Sequence, residues 1–169
     1  MSTECALHRD SERLVNMNLG VELWSPIREG LWMGGTFEVF TDGSRNAPDI
    51  SFDTFDTVIT LFSDAPPVGA GVKEFRLGFE DQETLDVDLT ALFLLVQLAH
   101  NEWASGNRVL IRCEGGWNRS GLVTALVLMK SGELPENAIE EIRARRSRLV
   151  LSNKTFERWL LSEAASLQD

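Results

Sequence analysis

Residues 109–121 read VLIRCEGGWNRSG, and this stretch decides the fold. Val109, Leu110 and Ile111 sit between Arg108 and Arg112, a compact apolar run closed by polar residues, as in a buried central strand. The run ends at Cys113, a short loop with Gly115 and Gly116 follows, and a helix begins near Arg119. A strand, a tight glycine loop and a helix in that order suit an anion. Successive backbone N–H groups can converge on one point, the helix N-terminus adds partial positive charge, and glycine permits the dihedrals of a tight loop.

Cys113 and Arg119 bracket the loop, with five residues between them. Positive surroundings favour a thiolate over a thiol, and a thiolate is a strong nucleophile at neutral pH. Arg119 can hold two phosphate oxygens through its planar fork, which a lysine cannot match. Ser120 can donate a hydrogen bond to the sulfur and ease its later departure. Glu114, Gly115, Gly116, Trp117, Asn118 and Arg119 form the candidate phosphate-binding loop. Trp117 either lines the pocket mouth or packs over the loop.

Further along the chain, Leu31–Met33, Thr57–Phe62 and Lys73–Leu77 read as short strands. Asp88 can cap a helix to about Ala104, ended by Gly106. Ser120 to Lys130 is apolar on nearly every side and predicts a buried helix. Pro135 opens a helix to about Arg146, and Asn153 caps a last one that turns Phe156, Trp159 and Leu160 inward. Thr41–Pro48 and Ser63–Gly71 read as loops. Strands followed by helix, strand and three helices predict an α/β sheet covered by helices.

The loop resembles the Cys-x5-Arg signature of protein tyrosine phosphatases. Its fuller form, Cys-x-x-Gly-x-x-Arg-Ser/Thr, is met by Cys113, Gly116, Arg119 and Ser120. Gly, Arg and Ser at three set offsets from a cysteine occur by chance roughly once in several thousand trials. The rest of the chain narrows the resemblance to the dual-specificity type. Asp81 lies 32 residues before Cys113 on a loop ahead of a long helix, where that family carries its general acid. Residues Ile27–Gly35 resemble its first strand, Phe55–Phe62 its second core strand, and Asn153–Phe156 with Leu160 its closing helix.

The resemblance spans about Leu23 to Leu161. It implies a single α/β domain over residues 21–169, with a central mixed, mostly parallel sheet of about five strands flanked by helices. Residues 1–20 read as a flexible lead-in. The implied reaction is hydrolysis of a phosphorylated protein through a phosphocysteine. Cys113, Arg119, Asp81 and Ser120 are then the catalytic set. No cofactor or metal is implied, because the guanidinium and the amide dipoles meet the charge. Phosphate- or sulfate-like anions are the implied occupants of the loop.

One residue departs from the pattern. The family usually carries His before the nucleophilic Cys, and this chain carries Arg112. Its charge could support the thiolate, or its bulk could disturb the loop. That departure leaves open a phosphate-binding module of low activity.

Two further enzyme readings belong to the same superfamily. The loop's Gly-Trp-Asn-Arg-Ser-Gly resembles the Gly-Phe-Asn-Arg-Thr-Gly of RNA 5′-triphosphatases. Phosphoinositide phosphatases usually carry lysines in the loop, and this loop has none.

The composition fits a globular domain. The chain has 169 residues, 43% hydrophobic and 25% charged, with a net charge of -10. That charge opposes a nucleic-acid track, which needs a basic stripe. Glu114 and the acids around Asp81 suggest a pocket that disfavours acidic neighbours of the phosphate. Arg143, Arg145, Arg146 and Arg148 could bind an acidic substrate or a second phosphate, but read chiefly as helix-ending cations with glutamates nearby. His8 and His100 have no metal-ligand spacing and read as solvated or satisfied. With two cysteines, Cys5 and Cys113, no long apolar run and no signal-like start, the expected location is cytoplasmic, away from membranes.

Overall fold

A hairpin opens the described chain: β1 (Trp24–Arg28) turns through Gly30 into β2 (Leu31–Gly34). The computed structural model describes residues 21–164; the expected lead-in, with Cys5 and His8, lies outside the described residues, as do residues 165–169. Then come β3 (Glu38–Val39), β4 (Arg45–Asn46), β5 (Thr57–Thr60), β6 (Lys73–Arg76), α1 (Leu89–Ala104), β7 (Val109–Arg112), α2 (Arg119–Lys130), α3 (Pro135–Arg145) and α4 (Lys154–Ser162).

Five strands form one sheet in the order β1-β2-β7-β5-β6. Within this sheet only β1 and β2 pair antiparallel; β2, β7, β5 and β6 run parallel. The expected mixed, mostly parallel sheet of five strands is therefore present. β7 lies between β2 and β5, and all four of its residues are buried. In an open parallel sheet, ligand sites form beyond the carboxyl ends of the strands where the chain order switches. Cys113 is the first residue beyond that end of β7.

The pleat divides β7 between two cores. Val109, Ile111 and Cys113 face a core built with residues of all four helices, while Leu110 packs with Ile50, Phe55 and Val58 on the opposite face. Loop residues Val68 and Val72 help cover that second core. Among the described residues, helices cover one face of the sheet and irregular chain covers the other.

The helix ends follow from their residues. Asp88 Oδ1 accepts from the Ala91 N–H at 3.0 Å, and Asn153 Oδ1 accepts from the Thr155 N–H at 3.0 Å and the Phe156 N–H at 3.3 Å. Each satisfies a donor that a helix start leaves without a partner. Pro135 stands in the first turn of α3, and α2 is buried from Arg119 to Met129.

Three details differ from the sequence reading. Residues Ile27–Gly35, matched to one strand, hold the end of β1, the turn and β2. The Thr41–Pro48 loop holds β4, which pairs antiparallel with β3. Among the described residues His100 Nδ1 is buried without a hydrogen-bond partner, and the ring meets Trp103 edge-on at 6.3 Å.

Candidate active site

The loop from Cys113 to Asn118 is tied by its carbonyls. The Cys113 carbonyl accepts from Thr36 Oγ1 at 2.9 Å, and the Glu114 carbonyl accepts from the Thr36 N–H at 3.0 Å. The Gly116 carbonyl accepts from Arg146 Nε at 2.7 Å, and those of Trp117 and Asn118 accept from the N–H groups of Leu151 and Leu122. Each of these groups needs a partner away from water. Turning the carbonyls outward turns the amide edge toward the sulfur. Gly116 has φ +77°, and a Cβ there would stand 2.4 Å from the Gly34 carbonyl carbon. Glycine is required at that position for both conformation and space.

The sulfur sits inside this turn. The Gly116 N–H donates to Cys113 Sγ at 3.2 Å, and Ser120 Oγ stands 3.4 Å from it. Cys113 is 2% exposed and Ser120 is fully buried. The Arg119 side chain is 7% exposed. It donates from Nη1 to the Phe79 carbonyl at 3.1 Å and lies over the Phe62 ring at 5.4 Å. Its Nε is buried without a partner among the described residues. A buried donor without a partner, on a cation at the head of α2, fits a tetrahedral oxyanion.

Asp81 is held at both oxygens. Oδ2 accepts from Asn118 Nδ2 at 2.9 Å, and Oδ1 accepts from Asn153 Nδ2 at 2.8 Å. Asn153 also donates to the Gln82 carbonyl, and Thr155 Oγ1 donates to the Glu83 carbonyl. Asn118 Oδ1 accepts from the Asn153 N–H at 2.9 Å. The loop carrying Asp81 is thus fastened to the Cys113–Asn118 loop and to the start of α4. The structure brings Ser120 to the Cys113 sulfur, sets Arg119 beside Glu114 of the same loop, and joins Asp81 to that loop through Asn118.

Arg112 follows neither expected course. By strand alternation it faces away from the helix side. Its Nε donates to Thr60 Oγ1 at 3.1 Å and its Nη2 to the Pro66 carbonyl at 2.6 Å, with Glu74 Oε1 at 3.2 Å. Burial pushes this guanidinium below its ordinary value, and Glu74 pulls it back.

The cation beneath the loop is Arg146. It is 8% exposed, and it faces the Trp117 ring at 5.0 Å. Arg143 lies in the last turn of α3, as expected, and there donates to the Val150 and Leu151 carbonyls and pairs with Glu157 at 2.7 Å. Sequence reasoning missed both roles, because a run of arginines at a helix end carries no sign of which ones turn inward. Trp117 packs against the helix-side core, the second of its two readings. Glu114, expected to make the pocket acidic, is paired with Arg45 at 2.7 Å and lies 3.6 Å from Arg119.

Among the described residues, no group of three or more His, Cys, Asp or Glu is placed to hold a metal ion, and no helix is long and apolar enough to cross a membrane.

No family model matches the chain. The chain is 28% identical over 100 residues to "Putative tyrosine phosphatase 123R" of Invertebrate iridescent virus 6, spanning 54% of this chain and 69% of that one. Its fold is similar to the crystal structure of human DUSP28, with a TM-score of 0.70 at 19% identity over 88% of this chain and 97% of that one. It is equally similar to the mouse "putative dual specificity phosphatase complexed with zinc tungstate", with a TM-score of 0.70 at 19% identity over 86% of this chain and 89% of that one. The folds are the same.

Proposed function

We infer that this chain, which has the fold of the dual-specificity-type phosphatases and carries the Cys-x5-Arg signature, is a cysteine-dependent phosphatase. It hydrolyses phosphate monoesters on phosphorylated proteins. The observation that carries this reading is the sulfur of Cys113, which accepts from the Gly116 N–H and stands beside Ser120 Oγ at the head of α2.

The reaction has two steps. The Cys113 thiolate attacks phosphorus in line with the ester oxygen. The S–P bond forms, the P–O bond breaks, and its electron pair goes to the leaving oxygen, which takes a proton from Asp81. Arg119 and the loop N–H groups meet the equatorial oxygens as charge develops there. Asp81, now ionised, takes a proton from water as the water oxygen attacks phosphorus. The S–P bond breaks, Cys113 leaves as thiolate, and Ser120 donates a hydrogen bond to it. Inorganic phosphate is released.

Asp81 suits this work by position, on a loop fastened to the anion-binding loop through Asn118. The net charge of -10 supports a protein substrate over RNA.

Turnover of a chromogenic aryl phosphate by the wild type and by Cys113→Ser tests the reading. The wild type hydrolyses the ester, vanadate inhibits it, and the serine variant does neither at a measurable rate. Equal turnover by the serine variant ends the nucleophile assignment. On the same preparation, phosphopeptides should be turned over faster than phosphoinositides or RNA 5′-triphosphates; the reverse order would end the protein-substrate assignment.

A further inference from the structure

The β3–β4 hairpin and the anion-binding loop are joined by a closed circuit of contacts. Arg119 lies over the Phe62 ring at 5.4 Å. Phe62 meets Phe37 edge-on at 6.1 Å, and Arg45 lies over the Phe37 ring at 4.3 Å. Arg45 Nη2 donates to Glu114 Oε1 at 2.7 Å. Glu114 Oε2 stands 3.6 Å from Arg119 Nη2, closing the circuit.

The Glu114 carboxylate is therefore shared by two guanidiniums. One is the 7% exposed cation of the anion site, and the other is 45% exposed on the hairpin. A carboxylate at the first position of such a loop opposes a phosphate dianion in two ways. It repels the charge, and it competes for Arg119. Arg45 counters both, because it neutralises the carboxylate and draws one oxygen to itself at hydrogen-bond distance, against 3.6 Å for the Arg119 contact. Phe37 fixes the Arg45 guanidinium from its other side.

We propose that Arg45 is a positioning residue that sets substrate affinity: it holds and neutralises Glu114, so that Arg119 is left for the phosphate. The proposal rests on the phosphatase reading for its substrate, and on the circuit alone for its geometry. It predicts a loss of affinity with little change in the chemical step, because Arg45 acts before the phosphoryl group transfers.

The test is a double-mutant cycle read by calorimetric binding of tungstate and by steady-state turnover of an aryl phosphate, on the full chain. Arg45→Ala weakens tungstate binding and raises KM by about three- to fivefold, the range of a partly exposed ion pair. kcat stays within about twofold. Arg45→Lys restores most of the affinity. In a Glu114→Gln background, Arg45→Ala has almost no further effect, since no carboxylate remains to be held.

Lys130→Ala, at the far end of α2, controls for net charge and leaves both constants unchanged. The proposal is overturned if Arg45→Ala changes nothing, if its effect persists undiminished in the Glu114→Gln background, or if Lys130→Ala matches it. A protein that binds tungstate but turns over no ester overturns the phosphatase reading, while the binding cycle still decides the role of Arg45.

Discussion

Arg146 donates from Nε to the Gly116 carbonyl at 2.7 Å, from beneath the loop whose Gly116 N–H meets the Cys113 sulfur. Its Nη1 donates to the Glu22 carbonyl at 3.0 Å and to Ser25 Oγ at 2.9 Å. One guanidinium thus spans the chain ahead of β1, β1 itself and the loop that follows β7. Burial lowers its pKa to about 10, against the opposing pull of the Cys113 sulfur. At neutral pH it therefore remains a buried cation that fixes the orientation of one peptide unit.

Arg146→Met tests that role. It keeps the length of the side chain but leaves the Gly116 carbonyl without its donor. The expected result is a fall in kcat/KM of about tenfold or more, as for loss of a preorganising donor. Arg146→Lys reaches one of the three acceptors and should fall between. Full kcat/KM in a folded Met variant would end the positioning role.

Arg112 gives a prediction of the opposite kind. Its contacts to Thr60, Pro66 and Glu74 lie on the face of the sheet away from the sulfur. Arg112→His removes one donor each from the Pro66 carbonyl and from Glu74. Glu74 keeps Thr60 Oγ1 at 2.6 Å and Arg76 at 3.1 Å, so stability should fall by about 1–3 kcal/mol, the net worth of the lost hydrogen bonds to a charged group. Turnover per folded molecule should stay within about twofold. Urea unfolding and active-site titration measure the two separately, and a gain in kcat would show that Arg112 does reach the loop chemistry.

Much of this was legible in the sequence for local reasons. A strand, two glycines and a helix are encoded side by side, so residues 109–121 read correctly without knowledge of their neighbours. Asp88, Pro135 and Asn153 mark helix starts because caps are local chemistry. What was not legible depends on contacts far apart in the chain. Arg146 meets Gly116 across 30 positions, and Arg45 meets Glu114 across 69. Arg112 is an intermediate case. Its facing follows from period-two alternation along β7, but its partner Glu74 depends on β6 lying beyond β5.

The Asp56–Arg108 pair gives a pH prediction. Asp56 Oδ2 accepts from the Arg108 N–H at 2.8 Å and from Nε at 3.0 Å, and Oδ1 accepts from Nη2 at 2.9 Å, at the entry to β7. The Arg108 guanidinium, followed by its backbone N–H, lowers the Asp56 carboxyl from 3.8 to about 2. A carboxyl lowered by folding contributes stability above its unfolded value and loses it as pH falls through the folded one. The difference in Tm between wild type and Asp56→Asn should hold above about pH 4 and close toward pH 2. A difference that stays constant across that window would remove the pair from the acid response.

Asn153 supports both the helix and the proposed acid, and two substitutions can separate these tasks. Its Oδ1 caps α4, while its Nδ2 donates to Asp81 Oδ1 and to the Gln82 carbonyl. Asn153→Ser keeps a capping oxygen and loses the amide donor; Asn153→Ala loses both. The alanine variant alone should lose about 1 kcal/mol of stability. Both variants should slow turnover of an alkyl phosphate by about tenfold, because a poor leaving group depends on a positioned proton donor. Both should leave a nitrophenyl phosphate within about twofold, since that leaving group departs with little help. The ratio of the two rates reads the placement of Asp81 independently of folding. A serine variant with an unchanged ratio would reduce Asn153 to a helix cap and leave Asn118 as the residue that holds Asp81.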